Sequence, residues 1–212
     1  MAAWDIFWSL AEQTAFTLWG APTSWLELVA VVLALVMVFC NIREVHWGWP
    51  LAIVSSLLYG ELFWRSRLYG DASLQVVFVV VAGWGWWEWL RGHAADGQLL
   101  HVQRLTRAGV LKTIVACALL WPATGLVLKH FTNTDVPWWD AFPTALSLVG
   151  QFLLGRKYNE NWLLWIAVNT VSVALFAYKG LWLTAVLYTV FIGLSVAGWR
   201  AWQHRLATQV SA

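Results

Sequence analysis

The stretch AGVLKTIVACALLWPATGLVL, residues 108–128, decides the fold class of this chain. It contains one charged residue, Lys112, close to its beginning. A helix needs about 20 consecutive apolar residues to cross the ~30 Å hydrocarbon layer of a bilayer. We therefore interpret this stretch as a transmembrane helix and the chain around it as an integral membrane protein.

The composition of the whole chain points the same way. Of its 212 residues, 60% are hydrophobic and only 11% are charged, and the mean hydropathy is +0.63. A soluble domain carries about 25% charged residues. The net charge of +2 is too small, and the basic residues too scattered, to indicate nucleic-acid binding. We expect the lipid bilayer to be the environment of most of the surface.

Six further apolar blocks flank this stretch, separated by charged residues, glycines and prolines. We predict seven transmembrane helices, over residues 25–41, 50–64, 71–90, 108–128, 139–155, 161–178 and 182–201. The N-terminal segment, residues 1–21, is different, because residues 4–19 alternate apolar and polar side chains. We predict a short amphipathic helix at the membrane interface there. We do not expect this segment to be a secretory signal, because it carries Asp5 and Glu12 where such a signal has a basic region.

An internal repeat relates the helices on either side of the fourth one. A shift of 113 residues aligns residues 43–89 with residues 156–202 without a gap, and gives fourteen identities in forty-seven positions. Apolar bias alone would produce some of these matches. Paired Arg and Trp positions are harder to obtain by chance, and they are Arg43 with Arg156, Trp49 with Trp162, Trp86 with Trp199, and Trp89 with Trp202.

The repeat predicts the architecture. Because the fourth helix adds one crossing, both groups of three helices have the same orientation, as in parallel repeats related by an axis along the membrane normal. We predict an all-α membrane protein with a three-plus-one-plus-three arrangement. Its parts are a first bundle (22–92), a loop and linker helix (93–137), a second bundle (138–205) and a tail (206–212).

Lys and Arg residues are unevenly divided between the two predicted sides of the membrane. One side holds four and the other holds nine. Loops rich in Lys and Arg stay in the cytoplasm, so we expect the C-terminus to be cytoplasmic. The nine are Arg43, Arg91, Arg104, Arg107, Lys112, Arg156, Lys157, Arg200 and Arg205.

One face of the sixth predicted helix combines aromatic and polar side chains. Trp162, Trp165, Asn169 and Ser172 follow the spacing i, i+3, i+7, i+10, which places them on one stripe. Asn169 falls near the middle of the span, where an unpaired amide costs several kcal/mol. It either bonds a neighbouring helix, which contributes about 0.6–2 kcal/mol, or faces a ligand. The adjoining Trp pair favours the ligand.

Other spans carry similar stripes, and the repeat pairs Gln75 with Tyr188 and Ser56 with Asn169. Polar groups at equivalent places suit a shared cavity between the bundles. Neither a carboxylate near the midplane nor a cation on these stripes is present, so the cargo should be neutral or cationic. Aromatic faces with amides and hydroxyls suit a flat heteroaromatic ring joined to a sugar.

Signatures of catalysis are missing from the sequence, which has no HExxH, GxSxG, P-loop or GxGxxG motif. Cys40 and Cys117 lie in apolar blocks without a CxxC pattern, and we interpret them as small hydrophobic residues. We therefore predict a transporter that is not an enzyme and that uses no cofactor or metal.

Three stretches resemble the PnuC vitamin transporters: LYGDASLQ (68–75), GWWEW (85–89) and RKYNENWLLW (156–165). The third, with Asn169, is similar to that family's Asn-Trp-x-x-Trp-x-x-x-Asn signature. The resemblance covers all seven spans. It implies substrate-binding roles for Trp162, Trp165, Asn169, Gln75, Trp86 and Tyr188, to which helix-face reasoning adds Trp182 and Gln151.

The resemblance also implies a function. It implies facilitated diffusion of nicotinamide riboside, a precursor of NAD, across the bacterial inner membrane by a homotrimer with a fold like that of SWEET sugar transporters. A cytoplasmic kinase would trap the riboside by phosphorylation. Thiamine or another aromatic vitamin is an alternative cargo, since Ser55 and Ser56 stand where some relatives carry an amide. A receptor or scaffold whose polar stripes only join helices is an alternative of another class.

Overall fold

The computed structural model describes residues 13–18, 21–65, 69–94, 96–132, 134–178 and 182–210. Within these residues the prediction of seven helices is confirmed, with ends that differ by a few residues except at α7, which continues to Val210. The helices are α1 (Trp25–Ile42), α2 (Gly48–Arg65), α3 (Tyr69–Arg91), α4 (Arg107–Phe131), α5 (Pro137–Gly155), α6 (Asn161–Tyr178) and α7 (Trp182–Val210).

Three of the described helices are long and apolar enough to cross a membrane by length and composition alone. They are α4, α6 and the Thr184–Gln209 part of α7. A shorter apolar helical stretch, Val31–Ile42, lies in α1. In α2 the apolar run is diluted by Ser55, Ser56 and Glu61, as the sequence already indicates.

A β-hairpin precedes α1. Strand β1 (Thr14–Leu18) pairs antiparallel with β2 (Ala21–Ser24). The amphipathic helix predicted over residues 4–19 is therefore wrong for residues 14–18, while residues 4–12 lie outside the described residues. Thr14, Phe16 and Thr17 are β-branched or aromatic and favour strands.

The helices pack in two consecutive groups. In the first triplet α1 contacts α2 and α2 contacts α3, and in the second α5 contacts α6 and α6 contacts α7. Among the described residues, the most extensive helix contacts between the triplets are those of α1 with α7 and of α3 with α5. The first helix of each triplet thus contacts the last helix of the other. Helix α4 packs on α5, and only 6% of its most apolar 18-residue stretch is buried.

Four chain segments meet at one end of the molecule, which we call the basic end. They are the loops 43–47 and 156–160, the described parts of the loop 92–106, and the last turns of α7. The carboxylate of Glu44 binds Lys157 at 2.9 Å and also binds Arg205. The backbone N–H of Gln103 donates to the carbonyl of Lys157 at 3.0 Å. The loops that the charge count assigns to one side are therefore in contact.

The main core cluster is built by both triplets near the basic end. Trp49 meets Trp89 edge to face, with ring centroids 5.6 Å apart at 84°. At the equivalent place in the repeat, Trp162 meets Trp202, 5.5 Å apart at 85°. Val102, from the loop before α4, is buried in the same cluster. Aromatic rings at this spacing add stabilisation beyond the area that they bury.

Two glycines make room for these rings. A Cβ atom on Gly85 would lie 2.3 Å from the ring of Trp49, and one on Gly198 would lie 2.6 Å from the ring of Trp162. Gly85 and Gly198 are also repeat equivalents. The close approach of each indole to a neighbouring helix backbone therefore explains both glycines.

Candidate substrate-binding site

A hydrogen bond between α6 and α7 forms the polar centre of the second triplet. Asn169 donates from Nδ2 to Ser195 Oγ at 3.3 Å, and Ser195 donates to the carbonyl of Phe191 at 2.7 Å. Both side chains are buried. The contact uses one donor of an amide that has two donors and an acceptor. Asn169 lies halfway along α6, so this is a polar group deep in an apolar helix pair.

Trp165 lies one turn from Asn169 on the same helix. Its half-buried indole packs against both core clusters, the large one and a smaller one around Ala145, Leu146 and Val168. It also lies against α5, since a Cβ atom on Gly150 would be 3.4 Å from the indole. Trp165 is thus a ring surface beside the buried amide.

Gln151 follows Gly150 on α5 and carries a polar atom without a partner. Its Oε1 atom is buried and has no hydrogen-bond partner among the described residues. A buried amide oxygen left unpaired costs about 1–3 kcal/mol, so a water or ligand donor at this place would be favourable. Gln151 and Trp165 belong to facing helices.

Trp162 is held by packing. The ring is enclosed between Trp202 and Gly198, and only 2% of the residue is exposed. Its indole N–H is buried without a partner among the described residues, as is that of its repeat equivalent, Trp49. The enclosed ring offers no free face, so in this conformation Trp162 presents a packed ring with an unpaired N–H.

The remaining predicted residues lie elsewhere. Trp86 donates from its indole to Nδ1 of His46 at 3.4 Å, near the basic end. Gln75 lies next to Gly60 of α2. Tyr188 packs on Phe176 and Phe191. Trp182 begins α7, and its side chain lies outside the described part of the structure.

Pairs across α6 and α7 show how far apart these places are. Trp162 meets Trp202, Asn169 meets Ser195, and Phe176 meets Tyr188. Each step is seven residues on both helices, or about 10.5 Å along the axis. The structure therefore places Asn169 and Trp165 near the middle. Tyr188 and its repeat equivalent, Gln75, lie about 10 Å closer to the end opposite the basic end, and Trp162 and Trp86 lie towards the basic end.

Comparison with known proteins identifies the family. The model of the nicotinamide mononucleotide transporter family matches residues 24–204. The chain belongs to this family. It is similar to the nicotinamide riboside transporter PnuC of Escherichia coli (strain K12), with 26% identity over 207 residues that cover 86% of this chain and 87% of the relative. The predicted resemblance to PnuC proteins is confirmed.

Two further relatives bear on the site and the fold. The riboflavin/roseoflavin transporter RibM of Streptomyces davaonensis is 30% identical over 198 residues, which cover 92% of each chain. A crystal structure of the vitamin B3 transporter PnuC has the same fold, with a TM-score of 0.68 at 24% identity, covering 85% of this chain and 81% of that one. As a member of the family, the chain is a membrane transporter and not an enzyme, as the sequence predicts.

The prediction of eight site residues missed two features of this family member. Ser195 accepts a hydrogen bond from Asn169. Its hydroxyl group in an apolar stretch of α7 is the signal in the sequence that could have indicated this. Glu44 and Lys157 bind each other at the basic end. Their opposite charges at equivalent positions of the repeat are a signal in the sequence.

Proposed function

We propose that this transporter carries nicotinamide riboside across the bacterial inner membrane. The observation that carries the proposal is the buried Asn169–Ser195 pair beside Trp165, a polar and aromatic centre halfway along α6. An amide beside an indole can hydrogen-bond a carboxamide and stack on its heteroaromatic ring. Relatives described as nicotinamide riboside transporters support the same cargo.

The cargo lies lengthwise in the proposed site. Its nicotinamide ring stacks on Trp165, and its carboxamide bonds Asn169 and Gln151. The ribose hydroxyls face Tyr188 and Gln75, which lie about 10 Å further along the helices. Trp162 and Trp86 close the site towards the basic end, and Trp182 stands near the opposite end. A cargo with a ring at one end and a sugar at the other suits two levels of contacts.

The proposed architecture is the three-plus-one-plus-three arrangement of SWEET proteins. The reciprocal contacts of α1 with α7 and of α3 with α5 support it, because a two-fold axis between the triplets would generate both. The surplus of Lys and Arg supports a cytoplasmic location of the basic end and of the C-terminus. The family resemblance adds a homotrimer.

The proposed mechanism is facilitated diffusion by alternating access, followed by phosphorylation of the riboside by a cytoplasmic kinase. Helix α6 carries no charged residue, so the polar centre offers no carboxylate for coupling to protons or sodium. A cation that would favour a phosphorylated cargo is likewise missing from α6. Both features suit uptake of the unphosphorylated riboside. They also suit retention of the phosphorylated product in the cytoplasm.

Riboflavin is a second candidate cargo, because RibM matches at 30% identity over 92% of both chains. Purified protein in liposomes separates the two. Influx of labelled nicotinamide riboside should be competed by unlabelled riboside and much less by riboflavin, thiamine or nicotinamide mononucleotide. Stronger competition by riboflavin would make riboflavin the cargo in place of nicotinamide riboside. No flux with any of these vitamins would favour the scaffold alternative.

A further inference from the structure

Glu44 and Lys157 form an ion pair across the two triplets, with Nζ and Oε2 2.9 Å apart. The two residues are 113 positions apart, which is the shift of the internal repeat, so they are repeat equivalents. Two equivalent residues can touch each other only near the axis that relates the repeats. The ion pair therefore lies on this pseudo-two-fold axis, at the basic end.

The backbone at both positions is unusual in the same way. Glu44 has φ +56° and Lys157 has φ +52°, and both are in the left-handed region that favours glycine. Such conformations cost of order 1–3 kcal/mol and persist where the surroundings determine them. The shared conformation aims both side chains at the axis, and it recurs in both triplets.

The pair is shielded from water and reinforced. The Lys157 side chain is 10% exposed and that of Glu44 is 13% exposed. Lys157 also lies over the ring of Trp89, with Nζ 4.9 Å from the centroid, and Glu44 binds Arg205 as well. Charges removed from bulk water attract each other more strongly. One carboxylate thus holds α7 and the loop before α6 against the loop after α1.

A path between the triplets along this axis would pass through the ion pair. We infer that the Glu44–Lys157 pair is the lock that closes the basic end of the transport path, and that it opens in each transport cycle. This inference rests on the proposed alternating access. The lock holds the conformation described here, and its release lets the triplets separate at the basic end.

Cysteine accessibility tests the lock. In a Cys40→Ala/Cys117→Ala background placed in lipid nanodiscs, Ala52→Cys reports on the basic end, because Ala52 is buried in the core cluster there. Ser172→Cys reports on the opposite half of α6, where Ser172 is buried. The measurement is the rate of modification of each cysteine by a membrane-impermeant maleimide, together with nicotinamide riboside binding by the same samples.

Lys157→Glu places like charges across the axis and should raise the modification rate at position 52 by about tenfold while lowering it at position 172. Lys157→Met, which keeps part of the contact with Trp89, should raise it about threefold. Adding Glu44→Lys to Lys157→Glu should bring the rate back towards the wild-type value. Asp96→Asn is the matched control, because it removes a carboxylate that pairs with His101 inside the loop 92–106 at the same end, and it should change neither rate.

The outcomes separate the lock from the transport proposal. Unchanged rates in Lys157→Met and Lys157→Glu, in samples that bind riboside, would overturn the lock and leave the proposed function standing. A rate that rises at both reporters alike would show loss of folding instead of gating, and would also overturn it. Failure of the wild-type protein to bind riboside would instead sink the proposed cargo.

Discussion

The indole of Trp202 donates a hydrogen bond to the carbonyl oxygen of Ile42, 160 residues earlier in the chain, at 3.2 Å. Its repeat equivalent, Trp89, donates in the same way to the carbonyl of Leu154 at 3.1 Å. One bond joins α7 to the end of α1 and the other joins α3 to the end of α5. The contact of α1 with α7 and that of α3 with α5 are therefore each stabilised by a hydrogen bond from an equivalent indole.

Trp202→Phe removes this donor and leaves a ring in place. The carbonyl of Ile42 loses its partner at a buried site, so we expect a loss of about 1–3 kcal/mol in stability. The measurement is the midpoint of thermal unfolding in detergent. Trp87→Phe is the control, because Trp87 is exposed. Equal midpoints for the two variants would show that the bond contributes nothing.

Gly198→Ala tests the packing of the Trp162 indole. The new methyl group would lie 2.6 Å from the ring, and such overpacking costs about 1–3 kcal/mol. Gly193→Ala, on the same helix with nothing within 4 Å, should be neutral or slightly stabilising because alanine favours helices. A thermal midpoint of Gly198→Ala equal to that of Gly193→Ala would contradict the packing.

The repeat allows the same comparison in the first triplet. Gly85→Ala meets the ring of Trp49 at 2.3 Å, whereas Gly83→Ala meets nothing within 4 Å. We expect Gly85→Ala to lower the thermal midpoint by an amount similar to that of Gly198→Ala. A lower midpoint in only one of these two variants would show that the two glycine–indole contacts are equivalent in geometry but not in their contribution to stability.

Asn169→Ala should weaken nicotinamide riboside binding by more than about tenfold, the loss expected for a hydrogen bond of about 1.4 kcal/mol or more in a buried site. Ser195→Ala should weaken it less, because it removes the support of the amide and leaves the amide itself. Calorimetric titration of purified protein measures both.

Thr170→Ala is the control for these two variants. Thr170 is exposed and its hydroxyl bonds a carbonyl of its own helix, so binding should not change. Wild-type affinity in Asn169→Ala would remove this residue from the site and leave the interhelical bond as its whole role.

An imposed pH or sodium gradient should not drive accumulation of riboside in liposomes, because none of the proposed site residues is a carboxylate that could couple transport to the ion. Labelled riboside should equilibrate at the same internal concentration with and without the gradient. Concentrative uptake in liposomes that contain no kinase would end the facilitated-diffusion mechanism.

The helices could be predicted because each is an apolar block between breakers, and this pattern needs only local sequence. The hairpin was missed because Thr14 to Leu18 are too few to separate a period of two from a helical one. Asn169 was predictable as a buried amide in an apolar helix. The distance between Tyr188 and Asn169 could not be predicted, because it depends on how α6 and α7 align. The contact of Phe176 with Tyr188 shows that alignment.

The repeat makes Glu44 and Lys157 equivalent in the sequence, but their contact depends on where the axis between the triplets passes. That position is set by packing between triplets and by two left-handed backbone positions, which single-residue preferences disfavour outside glycine. Long-range placement of this kind is not encoded in any short stretch of the chain.

The burial of Val102 in a cluster that both triplets share bears on how the protein can be tagged. A fluorescent or affinity label inserted beside Val102 would disturb the packing between the two triplets. The tip of the same loop, from Asp96 to Gln98, is exposed and bends through Gly97 at φ +80°. An insertion there leaves the anchoring residue in place, so this tip is the site for reporters that follow the protein in cells.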